Sequence, residues 1–106
     1  MKDKEILKTI GSNIRKIREM RGLSQQQLAI KAGHDSASAR SWISKIESGT
    51  RSTYTNELAA IAVALDVPPS FLYIEFENNT TNLEERILAY SVLINDMQSK
   101  TPISEG

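Results

Sequence analysis

Arg40, Ser41, Ser44 and Lys45 stand close together in this chain and carry side chains suited to polar recognition. An arginine can pair bidentately with the O6 and N7 acceptors of guanine, a lysine reaches the same atoms, and a serine hydroxyl donates or accepts. This chemistry reads an edge of hydrogen-bonding groups; it does not break bonds. The chain has no Gly-rich phosphate loop, no nucleophile with a nearby base and no carboxylate pair in an apolar setting. Its one histidine, His34, has no second histidine or cysteine to share a metal, because the chain has no cysteine at all. A non-enzyme without metal, cofactor or small-molecule ligand is therefore expected, with His34 an ordinary loop residue.

The elements that must position these side chains follow from hydrophobic spacing. Helix 1 is predicted from about Lys4 to Arg21, since Ile6, Leu7, Ile10, Ile14, Ile17 and Met20 recur at threes and fours and Gly22 supplies a stop. Helix 2 opens at Ser24, with Gln27 three residues on completing a capping box, and closes near Gly33. Its inward face is Leu28, Ala29 and Ala32. Helix 3 presents Trp42, Ile43 and Ile46 inward and ends at Glu47 to Gly49. Helix 4 starts near Thr55 with Leu58, Ile61, Ala62 and Leu65 inside; Pro68-Pro69 breaks the chain, and Pro69 or Ser70 opens a short helix 5 with Phe71 and Leu72. No strand pattern survives. A short helix pair whose second member offers Arg, Ser and Lys points to a reader of duplex DNA.

Length and composition set the frame. One hundred and six residues allow one domain with an added element, and 40% hydrophobic with 25% charged residues is ordinary for a soluble globular protein. No secretory signal opens the chain and no apolar run reaches a membrane span, so a cytoplasmic protein without membrane association is expected. The net charge of zero hides a division. Residues 1–51 hold eleven bases and five acids, a net +6, while residues 52–106 hold two bases and eight acids, a net −6. A basic half can meet phosphate while an acidic half stays solvated or faces a partner.

Beyond helix 5, residues 75–82 read as a polar linker after a DNA-binding domain of residues 1–74. A sixth helix at 83–98 then carries Asn82 as cap, with Glu85 completing a second capping box. Residues 99–106 form a short tail that frays by default. Leu83, Ile87, Tyr90, Ile94 and Met97 in helix 6 alternate at fours and threes, a seam of coiled-coil type that Leu88 and Leu93 widen. The seam predicts a homodimer interface. The competing reading folds helix 6 back over the core and leaves pairing to helix 5.

The strings NIRKIREMRGLSQQQLA, ISKIESGTR and LAAIAVALDVPPSFL resemble the Cro and phage-repressor type of helix-turn-helix domain, the Xre family, over about residues 10 to 74. The resemblance implies an all-α fold, a five-helix lambda-repressor-like DNA-binding domain, here with an added C-terminal helix. It further implies sequence-specific binding of double-stranded DNA, dimerisation on a palindromic operator and transcriptional regulation. Phage repressors, restriction–modification controllers, plasmid regulators and toxin–antitoxin autoregulators share these residues. The alternative function is an antitoxin or anti-repressor that uses the same fold to mask a protein partner. One departure stands out: between Gly33 and Glu47 the chain is about four residues longer than the usual family spacing, roughly one helical turn. The extra residues, His34 to Ser38, form either a longer loop or an extension of helix 3 capped by Asp35 or Ser36.

Carried back from Glu47, the resemblance places Arg40, Ser41, Ser44 and Lys45 at the positions that reach base edges in the major groove. It also implies an ion pair between Arg18, late in helix 1, and Glu47 at the end of helix 3, with a role in orientation. Gln25 lies in the first turn of helix 2, where free N–H groups favour an anion, so it and, more weakly, Gln26 are expected at a DNA phosphate. Thr50, Arg51 and Ser52 follow helix 3 as expected backbone clamps. Trp42, the only tryptophan, either packs at the core boundary or lies against sugar and thymine methyl groups, the former being better supported.

Overall fold

The structure, a computed structural model, describes residues 2–74 and 84–93. The chain divides into two compact units, Met1–Glu75 and Phe76–Gly106. The first unit runs α1 (Lys2–Met20), α2 (Gln25–Lys31), α3 (Ala39–Glu47), α4 (Thr55–Leu65) and a 3-10 helix (Pro69–Leu72). Among the described residues there is no strand. The architecture is the all-helical, five-helix one expected. In the second unit, residues 84–93 are helical.

The core of the first unit is built from the periodic apolar positions. Ile14 and Ile17 of α1, Leu28 of α2, Ile43 and Ile46 of α3, Ile61 and Leu65 of α4, and Leu72 are its largest fully buried side chains. At about 1.5–3 kcal/mol for each fully buried aliphatic side chain, this burial supplies the main force holding the helices together. α3 packs on both α1 and α2, so its inner face is wedged from two sides.

All four α-helices of the first unit end in one motif. Leu23 N–H donates to the Arg18 carbonyl, and the same six-residue closure joins His34 to Ala29, Thr50 to Lys45 and Val67 to Ala62. The residue before each of these donors has positive φ: Gly22, Gly33 and Gly49 in three cases, and Asp66 at φ 61° in the fourth. This is the Schellman geometry that pairs carbonyls a helix end would otherwise leave open. At α4 the open carbonyls are also served from a distance. Arg21 donates to the carbonyls of Leu65 (2.9 Å) and Asp66 (3.0 Å), placing a cation at the negative end of that helix.

Two interior residues of α1 act as fasteners. Asn13 is buried, and its amide group donates to the carbonyls of Leu72 (3.0 Å) and Ile74 (2.7 Å), with Phe71 at 3.3 Å. It closes the segment after α4 onto α1. Gly11 faces the end of α3 so closely that a Cβ there would lie 2.4 Å from the Ile46 carbonyl oxygen and 2.6 Å from that of Glu47. Only glycine permits this approach.

The segment between α2 and α3 is a longer loop, not a helical extension. α3 begins at Ala39, and its N-cap Ser38 makes no side-chain cap bond. The loop closes on itself instead: Ser38 N–H donates to Ser36 Oγ (3.3 Å), Ala39 N–H to the Ser36 carbonyl (3.1 Å), and His34 Nε2 pairs with Ser38 Oγ (3.2 Å). Hydroxyls that satisfy the backbone locally hold the chain out of helix.

Candidate nucleic-acid interface

The site is α3 and what holds it. Ala39, Trp42, Ile43 and Ile46 are buried along one side of this nine-residue helix. Arg40, Ser41, Ser44 and Lys45 are all exposed along the other. The helix therefore presents two donors of positive charge and two hydroxyls to solvent from a backbone that cannot rotate without unpacking the core. A surface of that shape and chemistry matches the donor and acceptor edges of a major groove.

The end of α3 is anchored by a buried ion pair. Arg18 grips Glu47 with two bonds, Nε to Oε2 at 2.5 Å and Nη2 to Oε1 at 3.1 Å, and its Nη1 donates to the Leu23 carbonyl at 2.8 Å. The two side chains are only 12% and 4% exposed. Two parallel bonds in a low-dielectric setting fix orientation as well as distance. The bond to Glu47 pushes the Arg18 pKa further up; burial opposes this, and the charges of Glu47 and Glu19 add to it. Arg18 thus keeps its charge throughout the pH range of a folded protein.

Gln25 joins this cluster. Its Nε2 donates to Glu47 Oε1 at 3.1 Å, leaving a second N–H on the amide, and the residue is half-buried. Gln26 stays exposed beside it. The capping box at the start of α2 is formed, with Gln27 N–H donating to Ser24 Oγ at 3.0 Å and Ser24 N–H to Gln27 Oε1 at 2.8 Å.

The residues after α3 divide in role. Thr50 is exposed, but its hydroxyl donates to the Lys45 carbonyl (3.2 Å) and pairs with Ser48 Oγ (2.8 Å), so it helps to end the helix. Ser52 is exposed. Arg51 is half-buried and forms an ion pair with Glu57 of α4, Nη2 to Oε2 at 3.5 Å. Trp42 is 7% exposed, in accord with packing rather than with a groove contact. Its ring stacks on His34 at a centroid distance of 4.5 Å and an interplanar angle of 14°, which pins the long loop onto the first turn of α3.

Of the seam expected in helix 6, only Ile87 and Tyr90 fall among the described residues. Leu83, Ile94 and Met97 lie outside the described residues. Ile87 is buried and Tyr90 is half-buried. The exposed large apolar residues described in this helix are Leu88 and Leu93, which widen the expected seam, and Val92. A stripe chosen by spacing alone can lie on either side of a two-sided apolar helix.

Several structural contributors carried a weak signal in the sequence. Gly11 interrupts a helical pattern, where glycine costs about 1 kcal/mol against alanine and so implies a packing reason. Asn13 falls three residues after Ile10, on the inner face of α1. Glu57 and Arg21 gave none, because their partners are remote in sequence or in another element. Among the described residues no group of acidic, histidine or cysteine side chains could hold a metal ion, and no helix is long and apolar enough to cross a membrane.

Comparison with known proteins agrees with this geometry. Residues 11–73 match the helix-turn-helix domain family. No curated protein gives a match. Among solved structures, the chain is similar to the restriction-modification controller protein C.AhdI from Aeromonas hydrophila, with 34% identity and a TM-score of 0.57 over 63% of this chain and 96% of that one. Together with the exposed polar face of a clamped third helix, these matches show that the chain belongs to the helix-turn-helix family of Cro and phage-repressor type, a family of DNA-binding regulators.

Proposed function

We propose that this protein is a sequence-specific transcriptional regulator that binds a palindromic operator as a homodimer and reads the major groove with α3. One observation carries the reading: Arg40, Ser41, Ser44 and Lys45 are exposed together on a helix whose opposite face is buried and whose end is tied to α1 by Arg18 and Glu47. Arg51 and Ser52, with Gln26, supply backbone contacts at the rim. The similarity to a restriction-modification controller favours control of a system of that kind over the other settings in which this domain occurs. Sequencing the genomic fragments that the pure protein enriches tests the reading. Palindromes with half-sites about 34 Å apart support it, and fragments with no shared sequence refute it.

Arg40 is the strongest candidate for a base contact. Arg40→Ala is expected to weaken operator binding by about 1–3 kcal/mol and to relax preference at one base pair. Binding of a panel of single-base operator variants measures both. Unchanged affinity and unchanged preference would show that the register along α3 is misplaced.

The homodimer is assigned to the exposed stripe of the helix at 84–93. Leu88, Val92 and Leu93 are 66%, 59% and 55% exposed, a contiguous apolar surface that a second copy can cover. Leu88→Asp with Val92→Asp is expected to give a folded monomer whose operator affinity falls by about a hundredfold or more, because two linked half-site contacts become one. Sedimentation decides the state. A double variant that still sediments as a dimer places the interface elsewhere.

A further inference from the structure

We propose that Glu57 is a charge brake on Arg51: it holds the guanidinium in an ion pair that a DNA phosphate must compete for, and so restrains binding to DNA of unrelated sequence. The inference rests on the reading that Arg51 meets a phosphate.

The geometry is local and complete. Arg51 lies in the turn after α3, and Glu57 lies in the first turn of α4, with Nη2 and Oε2 3.5 Å apart. The side chains are 39% and 23% exposed, so the pair is open to a ligand yet partly shielded from water. Arg51 Nε is buried and makes no hydrogen bond, so the guanidinium meets the surrounding solvent through its other atoms. The position of Glu57 is itself fixed, since its Oε1 accepts from the Tyr54 N–H at 3.1 Å. A carboxylate held in place by one oxygen presents the other to Arg51 in a constant position.

The consequence is electrostatic. In the free protein the arginine charge is partly compensated, so fewer counterions leave the DNA when Arg51 docks than a free arginine would displace. A backbone phosphate gains Arg51 only when it is brought close enough to outcompete Glu57. Docking of α3 in the groove of the operator supplies that closeness; a loose encounter with unrelated DNA does not. Glu57 thereby acts on specificity through Arg51 and is a positioning residue, not a DNA contact.

A double-mutant cycle on duplex of unrelated sequence tests this, using the full chain. Glu57→Gln keeps the acceptor for Tyr54 and removes the charge. It is expected to raise affinity about two- to fivefold at low salt, the range of a partly exposed ion pair, and to steepen the salt slope by up to about 0.9. In an Arg51→Gln background the same change is expected to leave both nearly unaltered. An equal effect in both backgrounds would mean that Glu57 acts by its own repulsion of DNA, and a loss of affinity in the presence of Arg51 would mean that it aids docking; either overturns the brake. If Arg51→Gln alone changes neither affinity nor slope, Arg51 is off the DNA, and the phosphate reading itself is what fails. Melting temperatures of all four proteins exclude a folding effect as the source of any difference.

Discussion

Arg18→Leu is expected to destabilise the protein by about 3–5 kcal/mol, the usual consequence of removing one partner from a buried ion pair. Glu47 would then be left 4% exposed, with only the Gln25 amide for company, and the Leu23 carbonyl would lose its donor as well. Small domains have about 5–15 kcal/mol in total, so the change takes a large share of it. Urea unfolding of the variant measures the loss. Arg18→Leu combined with Glu47→Leu is expected to be more stable than the single change, because no charge stays stranded. A single variant within about 1 kcal/mol of the parent would show that the pair is not shielded from water in solution, since exposed pairs contribute no more than that.

Gly11→Ala is expected to destabilise the fold by about 1–3 kcal/mol, despite replacing the poorest non-proline helix former with the best. The added carbon would sit inside the contact distance of two backbone oxygens at the end of α3, and backbone cannot turn aside as a side chain can. α3 must therefore move away from α1. That shift would pull Glu47 from Arg18 and tilt the face that bears Arg40 and Lys45, so operator affinity should fall further than stability alone explains. Thermal melts and operator titrations of the same variant separate the two losses. A higher melting temperature would show that helix propensity outweighs the contact and that the approach of α1 to α3 is looser than 2.4 Å implies.

Both variants act on the same joint. α1 meets the end of α3 through one position with no side chain and another with the longest charged one, and between them they set where the exposed face of α3 points. The exposed polar face belongs to α3, but where it points is set by α1.

Much of this was legible along the chain. Apolar residues at threes and fours, Ser24 with Gln27, and glycine at three of four helix ends are signals between neighbours in sequence, and local hydrogen bonds answer them directly. The all-helical architecture follows from that local code, while the set Arg40, Ser41, Ser44 and Lys45, which is exposed in the structure, was placed through the family resemblance counted back from Glu47. The pair of Arg18 and Glu47 was reachable through family resemblance, though its partners stand far apart in the chain. Other features arose only when the helices packed. Gln25 turned its amide to Glu47, Asn13 found carbonyls beyond α4, Arg21 capped a helix three elements on, and His34 stacked on Trp42 to tie down a loop of unusual length. A donor or a ring has several partners of suitable chemistry in the sequence, and only burial decides which of them comes within reach. The same holds for the helix at 84–93, whose apolar residues lie on both sides. Periodicity identifies such a helix, but it does not say which of its apolar residues are buried, as Ile87 is, and which stay exposed, as Leu88 and Val92 do.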